Sequence, residues 1–276
     1  PPTEATSTRN MNSRQFHLVA ASILVLVCAT TPLLGATRPN ILWISCEDMS
    51  PHLGCYGCEQ AITPALDELA REGVRYTHAF ATCPVCATNR SSIITGMYPT
   101  TIGTHHMRST AQLPDHVRCF PEYLRRAGYY TTYNVKTHYN FEPSASTWNE
   151  SSRNAHWRNR QPGQPFFAVF NLTVTHESKI WPRGRAHRAL TRDVHTHDRQ
   201  DPSQLVLPRY YPGTSEVRRD WANYFENITQ MDHEVAAIFD ELEHDGLVDD
   251  TIVFFWSDHG VGLPRGKRWL YDSGTR

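Results

Sequence analysis

The sequence predicts an α/β fold, a mixed but mostly parallel sheet with helices on both faces. Three uninterrupted apolar runs carry that reading: Asn40 to Cys46, Pro165 to Leu172 and Thr251 to Trp256. A strand with one wet face alternates, whereas a strand buried on both faces reads as a continuous run. Each run closes on polar residues: Glu47-Asp48, the stretch reaching His176, and Ser257-Asp258-His259-Gly260. Open α/β sheets place their ligands at the carboxyl ends of such strands. At 276 residues the chain suffices for one large domain or two modest ones.

Before the first strand, Met11 to Ala36 has the layout of a secretory signal peptide. Arg14 gives a positive start, Leu18 to Cys28 an apolar core, and Leu34-Gly35-Ala36 a small-residue end. The apolar core is too short for a membrane span, so the alternative of an uncleaved anchor is the weaker one. The expected organisation is residues 1–36 as upstream segment and signal, and 37–276 as an exported domain with no stable membrane span after cleavage. Charge is balanced, with 27 Lys+Arg against 28 Asp+Glu, and names no partner. For an exported, neutral chain, nucleic acid is excluded as the expected ligand. Six cysteines follow the leader. Cys55-x-x-Cys58 and Cys83-x-x-Cys86 have zinc-site spacing, but export favours disulfides or free thiols.

Taken in order, Glu47-Asp48 pairs two carboxylates that repel each other unless a cation lies between them; a solvated turn is the alternative. Thr63 to Gly73 is a punctuated helix, with Thr63 as cap, Pro64 in the first position and Gly73 as stop. Val74 to Thr82 is expected to return as a strand and deliver Cys86. From Asn89 to Thr95 a helix follows, with Gly96 as its C′ residue. A thiol at a helix N-terminus, near the fixed cation of Arg90, favours the nucleophilic anion and attracts anionic substrates. The plainer reading is a small buried residue at a strand–helix turn. Phe120 to Ala127 is a short helix, and Tyr129 to Val135 a strand leading to Lys136-Thr137-His138. Lys136 and His138, two apart on a strand, would share a face and both donate to anionic oxygens. Phe141 to Gln164 reads as a long surface loop. His176, considered alone, is more often structural than catalytic. Lys179 to Arg199 is a basic, irregular run, either a solvated loop or an attractor of polyanions. Ser215 to His244 is the longest helix, its apolar stripe from Trp221 to Leu242 facing the core.

Cys86-Ala87-Thr88-Asn89-Arg90, followed by Thr95-Gly96, resembles the signature of the type I sulfatases of the alkaline phosphatase superfamily. The family pattern is Cys, any residue, Pro or Ala, any residue, Arg; Thr88 departs from it at the third place. Glu47 stands where the family has the first of two Asp residues. The resemblance extends from Arg38 to Arg276, includes a likeness to the heparan N-sulfatases, and implies an alkaline phosphatase-like fold whose smaller C-terminal subdomain is missing here. It implies a hydrolase of sulfate esters or sulfamides on a sulfated carbohydrate, in which a maturation enzyme oxidises Cys86 to formylglycine. One divalent cation, Ca2+ by the hardness of the oxygen ligands, would be held by Glu47, Asp48, Asp258 and His259 together with the Cys86-derived group. Arg90 would hold the nucleophile turn, Lys136, His138 and Lys267 would balance charge on the sulfuryl oxygens, and His176 would protonate the leaving group. The rivals are a phosphoester hydrolase of the same superfamily, an inactive sulfated-glycan binder and, more distantly, a zinc module.

Overall fold

Five strands form one sheet in the order β3-β2-β4-β1-β5, in a computed structural model that describes residues 38–135 and 137–276. They are β1 (Asn40–Cys46), β2 (Tyr130–Asn134), β3 (Glu150–Ser152), β4 (Phe166–Leu172) and β5 (Thr251–Ser257). Every pairing between these strands is parallel, in keeping with the expected mostly parallel sheet. The expected signal peptide and Lys136 lie outside the described residues. No helix among the described residues is long and apolar enough to cross a membrane.

The register decides where chemistry falls. Cys46 pairs with Leu172 on one side and with Ser257 on the other. The three strands therefore end level, and Glu47-Asp48, the loop to His176, and Asp258-His259 leave the sheet at one edge.

Helices cover both faces, as expected. On one face Leu42, Ile44, Phe166 and Ala168 pack against Tyr224, Phe225, Ile228, Met231 and Val235 of the long helix Ser215–His244. Thr214 caps it by accepting the Val217 N–H, and Gly246 leaves it at φ 66°. The larger aliphatic and phenyl side chains among them contribute roughly 1.5–3 kcal/mol each over their exposed states. On the other face Phe167, Val169 and Tyr133 meet Phe120 and Leu124, the latter on the short helix Pro121–Arg126.

Several local expectations change. Val74 to Thr82 is not a strand: β-formers are present, but no strand edge pairs with them, and Val74 is 83% exposed. The Thr63 hydroxyl makes no cap bond for helix Pro64–Glu72. Asp232, from the long helix, takes the N–H groups of Ala65 and Leu66 at 3.0 and 2.9 Å instead. The stretch from Phe141 to Gln164 is not simply a surface loop: it contains β3 and the fully buried Trp157, whose indole N–H donates to Asp245. Thr251–Ser257 is not buried on both faces, since β5 is the sheet edge and Ile252 and Phe254 are exposed. The basic run is partly spent internally, Arg183 on Asp220 and Arg199 on Glu226. All six described cysteines are free thiols, and the Cys-x-x-Cys pairs do not gather into a four-cysteine site.

Candidate active site

The helix carrying the nucleophile candidate, Cys86–Thr95, starts at Cys86 itself rather than at Asn89. Val85 is extended and precedes it, and Gly96 closes it at φ 68° by donating to the Ser92 carbonyl. The helix N-terminus is brought to the level edge of β1, β4 and β5. Asn89 helps fix it there, donating to the Asp258 carbonyl while accepting from Thr82.

Asp48, Cys86, Asp258 and His259 converge, their ligand atoms all within 4.8 Å of one another and all four residues buried. Cys86 Sγ lies 3.2 Å from His259 Nε2, which is also 3.2 Å from Asp48 Oδ1. Asp48 holds its place through an unusual backbone, at φ 52°, and its N–H donates to Asp258 Oδ1. For a non-glycine residue that conformation is uncommon and concentrates at sites.

Arg90 is 1% exposed and spends its whole fork on fixed partners. Nε donates to Asp258 Oδ2 at 3.0 Å, one terminal nitrogen to the Tyr133 hydroxyl at 2.9 Å, and the other to Asn171 Oδ1 at 2.7 Å. It therefore ties the nucleophile helix to β2, β4 and the end of β5. Burial alone would raise the Asp258 carboxyl, but His259 and Arg90 outweigh it and hold the group at about 2. Glu47 does not join the four-residue cluster. Its carboxylate takes the Asn171 amide at 2.8 Å and lies 3.7 Å from Arg90 and 3.8 Å from His176.

Cys86 corrects one expectation. Burial pushes its thiol up to about 12, and Asp258 and Asp48 add to that more than Lys267 relieves. The helix N-terminus and Arg90 do not make an activated thiolate of the unmodified side chain.

Lys267 and His176 complete the rim. The Lys267 ammonium donates to both Asp48 oxygens at 3.0 and 2.8 Å and stands 3.5 Å from His176 Nε2. Burial disfavours its charge, but Asp48 more than compensates, so its pKa is raised. His176 Nδ1 lies 3.3 Å from the Ser178 N–H, and Nε2 faces the site beside Lys267. The loop bearing Lys267 is tied to the nucleophile turn by the Arg268 N–H on the Pro84 carbonyl. His138 is half-buried at φ 53°, beyond the end of β2 at Asn134. The expected strand geometry for Lys136 and His138 is thus not what carries His138, and Lys136 falls outside the described residues.

Sequence reasoning missed Asn171, Tyr133, Thr175 and Glu177. Asn171 had a signal, an amide interrupting an apolar run just where the strand ends. Thr175, which accepts the Glu47 N–H, and Glu177 had none.

Two buried carboxylates and an imidazole aimed at one point fit a divalent cation. With the Cys86 sulfur as fourth donor the set is softer than calcium prefers; an oxygen at that position makes it harder.

The sulfatase family profile matches residues 39–149 and 151–276. An ulvan-active sulfatase of Formosa agariphila is 42% identical over 281 residues, covering 88% of this chain and 47% of that protein. Human N-sulphoglucosamine sulphohydrolase is 28% identical over 287 residues, covering 90% of this chain and 56% of that protein. The chain thus spans about half the length of the curated relatives it matches. Among solved structures, a phosphonate monoester hydrolase of Agrobacterium radiobacter superposes with TM-score 0.63 at 18% identity, covering 86% of this chain and 66% of that one. That likeness concerns the alkaline phosphatase-like fold alone.

Proposed function

The chain belongs to the sulfatase family, and from that premise we propose that it carries the catalytic part of a hydrolase cleaving sulfate esters or sulfamides on a sulfated glycan. The observation that carries the reading is the convergence of Asp48, Cys86, Asp258 and His259 beside Lys267 and His176. In this reading a maturation enzyme converts Cys86 to formylglycine, and Asp48, Asp258, His259 and the Cys86-derived group hold one divalent cation, calcium in the matured chain. The cation supplies polarisation of a sulfuryl oxygen, and the aldehyde hydrate an oxygen nucleophile.

The remaining work falls to side chains already described. Arg90 keeps Asp258 ionised and fixes the first turn of the nucleophile helix. Lys267 donates to an anionic sulfuryl oxygen, and Lys136 and His138 are assigned the same role from the sequence resemblance. His176 presents Nε2 to the site, where it protonates the departing oxygen or nitrogen. Glu47 fixes Asn171 and through it the Arg90 fork.

Relatives supply the substrates to try first. The higher identity to an ulvan-active sulfatase puts ulvan ahead of N-sulfated glucosamine, which the sequence resemblance had favoured. The leader at Met11 to Ala36 supports export to the periplasm or the exterior. The fold likeness to a phosphonate hydrolase keeps phosphoester hydrolysis as a second reading.

The test starts from the tryptic peptide Tyr76 to Arg90 of protein made in its own host. A mass deficit matching thiol replaced by aldehyde is expected, with sulfate released from ulvan and aryl sulfate turned over faster than aryl phosphate. An intact thiol with glycan affinity but no sulfate release would instead indicate an inactive binding relative.

A further inference from the structure

Glu177 has no part in the chemistry above, yet it is built into the wall of the site. Its side chain is 18% exposed and lies 3.3 Å from Lys267 Nζ. It meets Arg268 as a two-point ion pair at 2.6 and 2.8 Å. Its N–H donates to Asp48 Oδ2 at 2.8 Å. Gly262 leaves room for it: a Cβ there would come within 2.7 Å of Glu177 Cβ and 3.0 Å of Asp48 Oδ2. The bidentate guanidinium fixes the carboxylate's orientation. The ammonium placed to receive the substrate anion therefore has a fixed negative charge beside it.

A sulfate ester carries one negative charge. Free sulfate carries two, and so does a phosphate monoester above neutrality. Repulsion from a fixed carboxylate grows in proportion to the ligand's charge, so it weighs twice as heavily on the doubly charged anions. Discrimination by a built-in repulsive group is a general route to specificity.

We propose that Glu177 is a specificity-determining carboxylate that tunes the anion pocket toward singly charged sulfuryl esters, disfavouring phosphate monoesters and hastening release of product sulfate. The inference rests on the reading of Lys267 as a sulfuryl contact. If Glu177 merely positioned Lys267, its removal would weaken all anions alike.

Calorimetric titration of the whole chain with methyl sulfate, inorganic sulfate and inorganic phosphate at pH 8 separates these. Glu177→Gln keeps the shape and removes the charge. If methyl sulfate gains about threefold in affinity, the two dianions gain about tenfold, because the energy doubles with the charge. Glu177→Asp keeps the charge and should retain the selectivity of the parent chain. Equal changes for all three anions, or weaker dianion binding by Glu177→Gln, would overturn the inference. Should Glu177→Gln fail to fold, Arg268→Gln carries the test: it removes the guanidinium that offsets the Glu177 charge and should shift selectivity further toward methyl sulfate, and unmoved selectivity overturns the inference. Absence of any anion binding by the parent chain would sink the Lys267 reading as well, whereas binding with unchanged selectivity in Glu177→Gln sinks this inference alone.

Discussion

Replacing Arg90 by lysine is the most informative single perturbation of the site. Lysine keeps the positive charge but has no fork, so it can retain the contact with Asp258 while abandoning the Tyr133 hydroxyl and Asn171 Oδ1, or the reverse. Two hydrogen bonds from a charged donor are lost, each worth about 1.5–3 kcal/mol, and the Asn171 oxygen is left with only the Ser45 hydroxyl. The expected destabilisation is thus about 3–6 kcal/mol. Arg90→Met removes the charge as well and strands the buried Asp258 carboxylate. Breaking a buried pair on one side costs about 3–5 kcal/mol by itself, so methionine should be worse than lysine. Urea unfolding followed by tryptophan fluorescence measures both, as a fall in midpoint at unchanged slope. The reasoning would be refuted if Arg90→Lys unfolded within 1 kcal/mol of the parent, since charge alone would then account for the residue and the three-way anchoring would be irrelevant; the threshold is roughly the worth of one neutral hydrogen bond.

Other expectations follow from the same geometry. Lys267→Ala should lower turnover by about 100-fold or more, the scale of removing one oxyanion donor. It should also lower the melting temperature, because the buried Asp48 loses the ammonium that contacts both its oxygens, and added calcium should restore part of that loss. His52, packed among the rings of Trp221, Tyr224 and Phe225, is pushed down by burial from 6.5 to about 4. Its neutral form is the folded one, so its contribution is complete above pH 6.5 and is lost as pH falls from 6.5 toward 4. That is roughly 3 kcal/mol at most, and His52→Gln should flatten the stability–pH slope in that window. Protein made without maturation keeps the Cys86 thiol, and the sulfur, imidazole and carboxylate set should then retain zinc over calcium. Elemental analysis checks this, and Cys86→Ser should abolish the zinc preference.

Legibility in the sequence followed the physics of each element. The runs of β1 and β4 were readable because a strand buried in a parallel sheet must be apolar throughout; β5 reads the same way although it lies at the edge with Ile252 and Phe254 exposed, and the polar residues at the strand ends mark the ligand side. Asp48, Asp258, His259 and Cys86 were readable as residues, but their convergence depends on register, Cys46 opposite both Leu172 and Ser257, which no local pattern encodes. Val74 to Thr82 misled because strand propensity without a partner edge is worth little. Thr63 misled because a local cap can be displaced by a distant carboxylate, here Asp232. The reactivity of Cys86 misled for the same reason on a larger scale. The helix N-terminus and Arg90 were visible in sequence, whereas the burial and the two carboxylates that oppose them were not.

The two departures from the sulfatase pattern make physical sense only in the folded chain. Thr88 is 1% exposed, and its hydroxyl accepts the Asn140 amide at 3.2 Å. The same amide also donates to the carbonyls of Thr104 and His106, while the Asn140 N–H reaches Ser91. A hydroxyl at this buried place therefore has its partner, and it ties the nucleophile helix to the segment that follows His138. Glu47 is one methylene longer than the Asp it stands for, and the extra reach takes its carboxylate to Asn171, next to Arg90 and His176. Asp48 then supplies the carboxylate of β1 to the cluster, and Glu47 acts on the site through the groups it orients. Both substitutions keep the site's polar groups partnered.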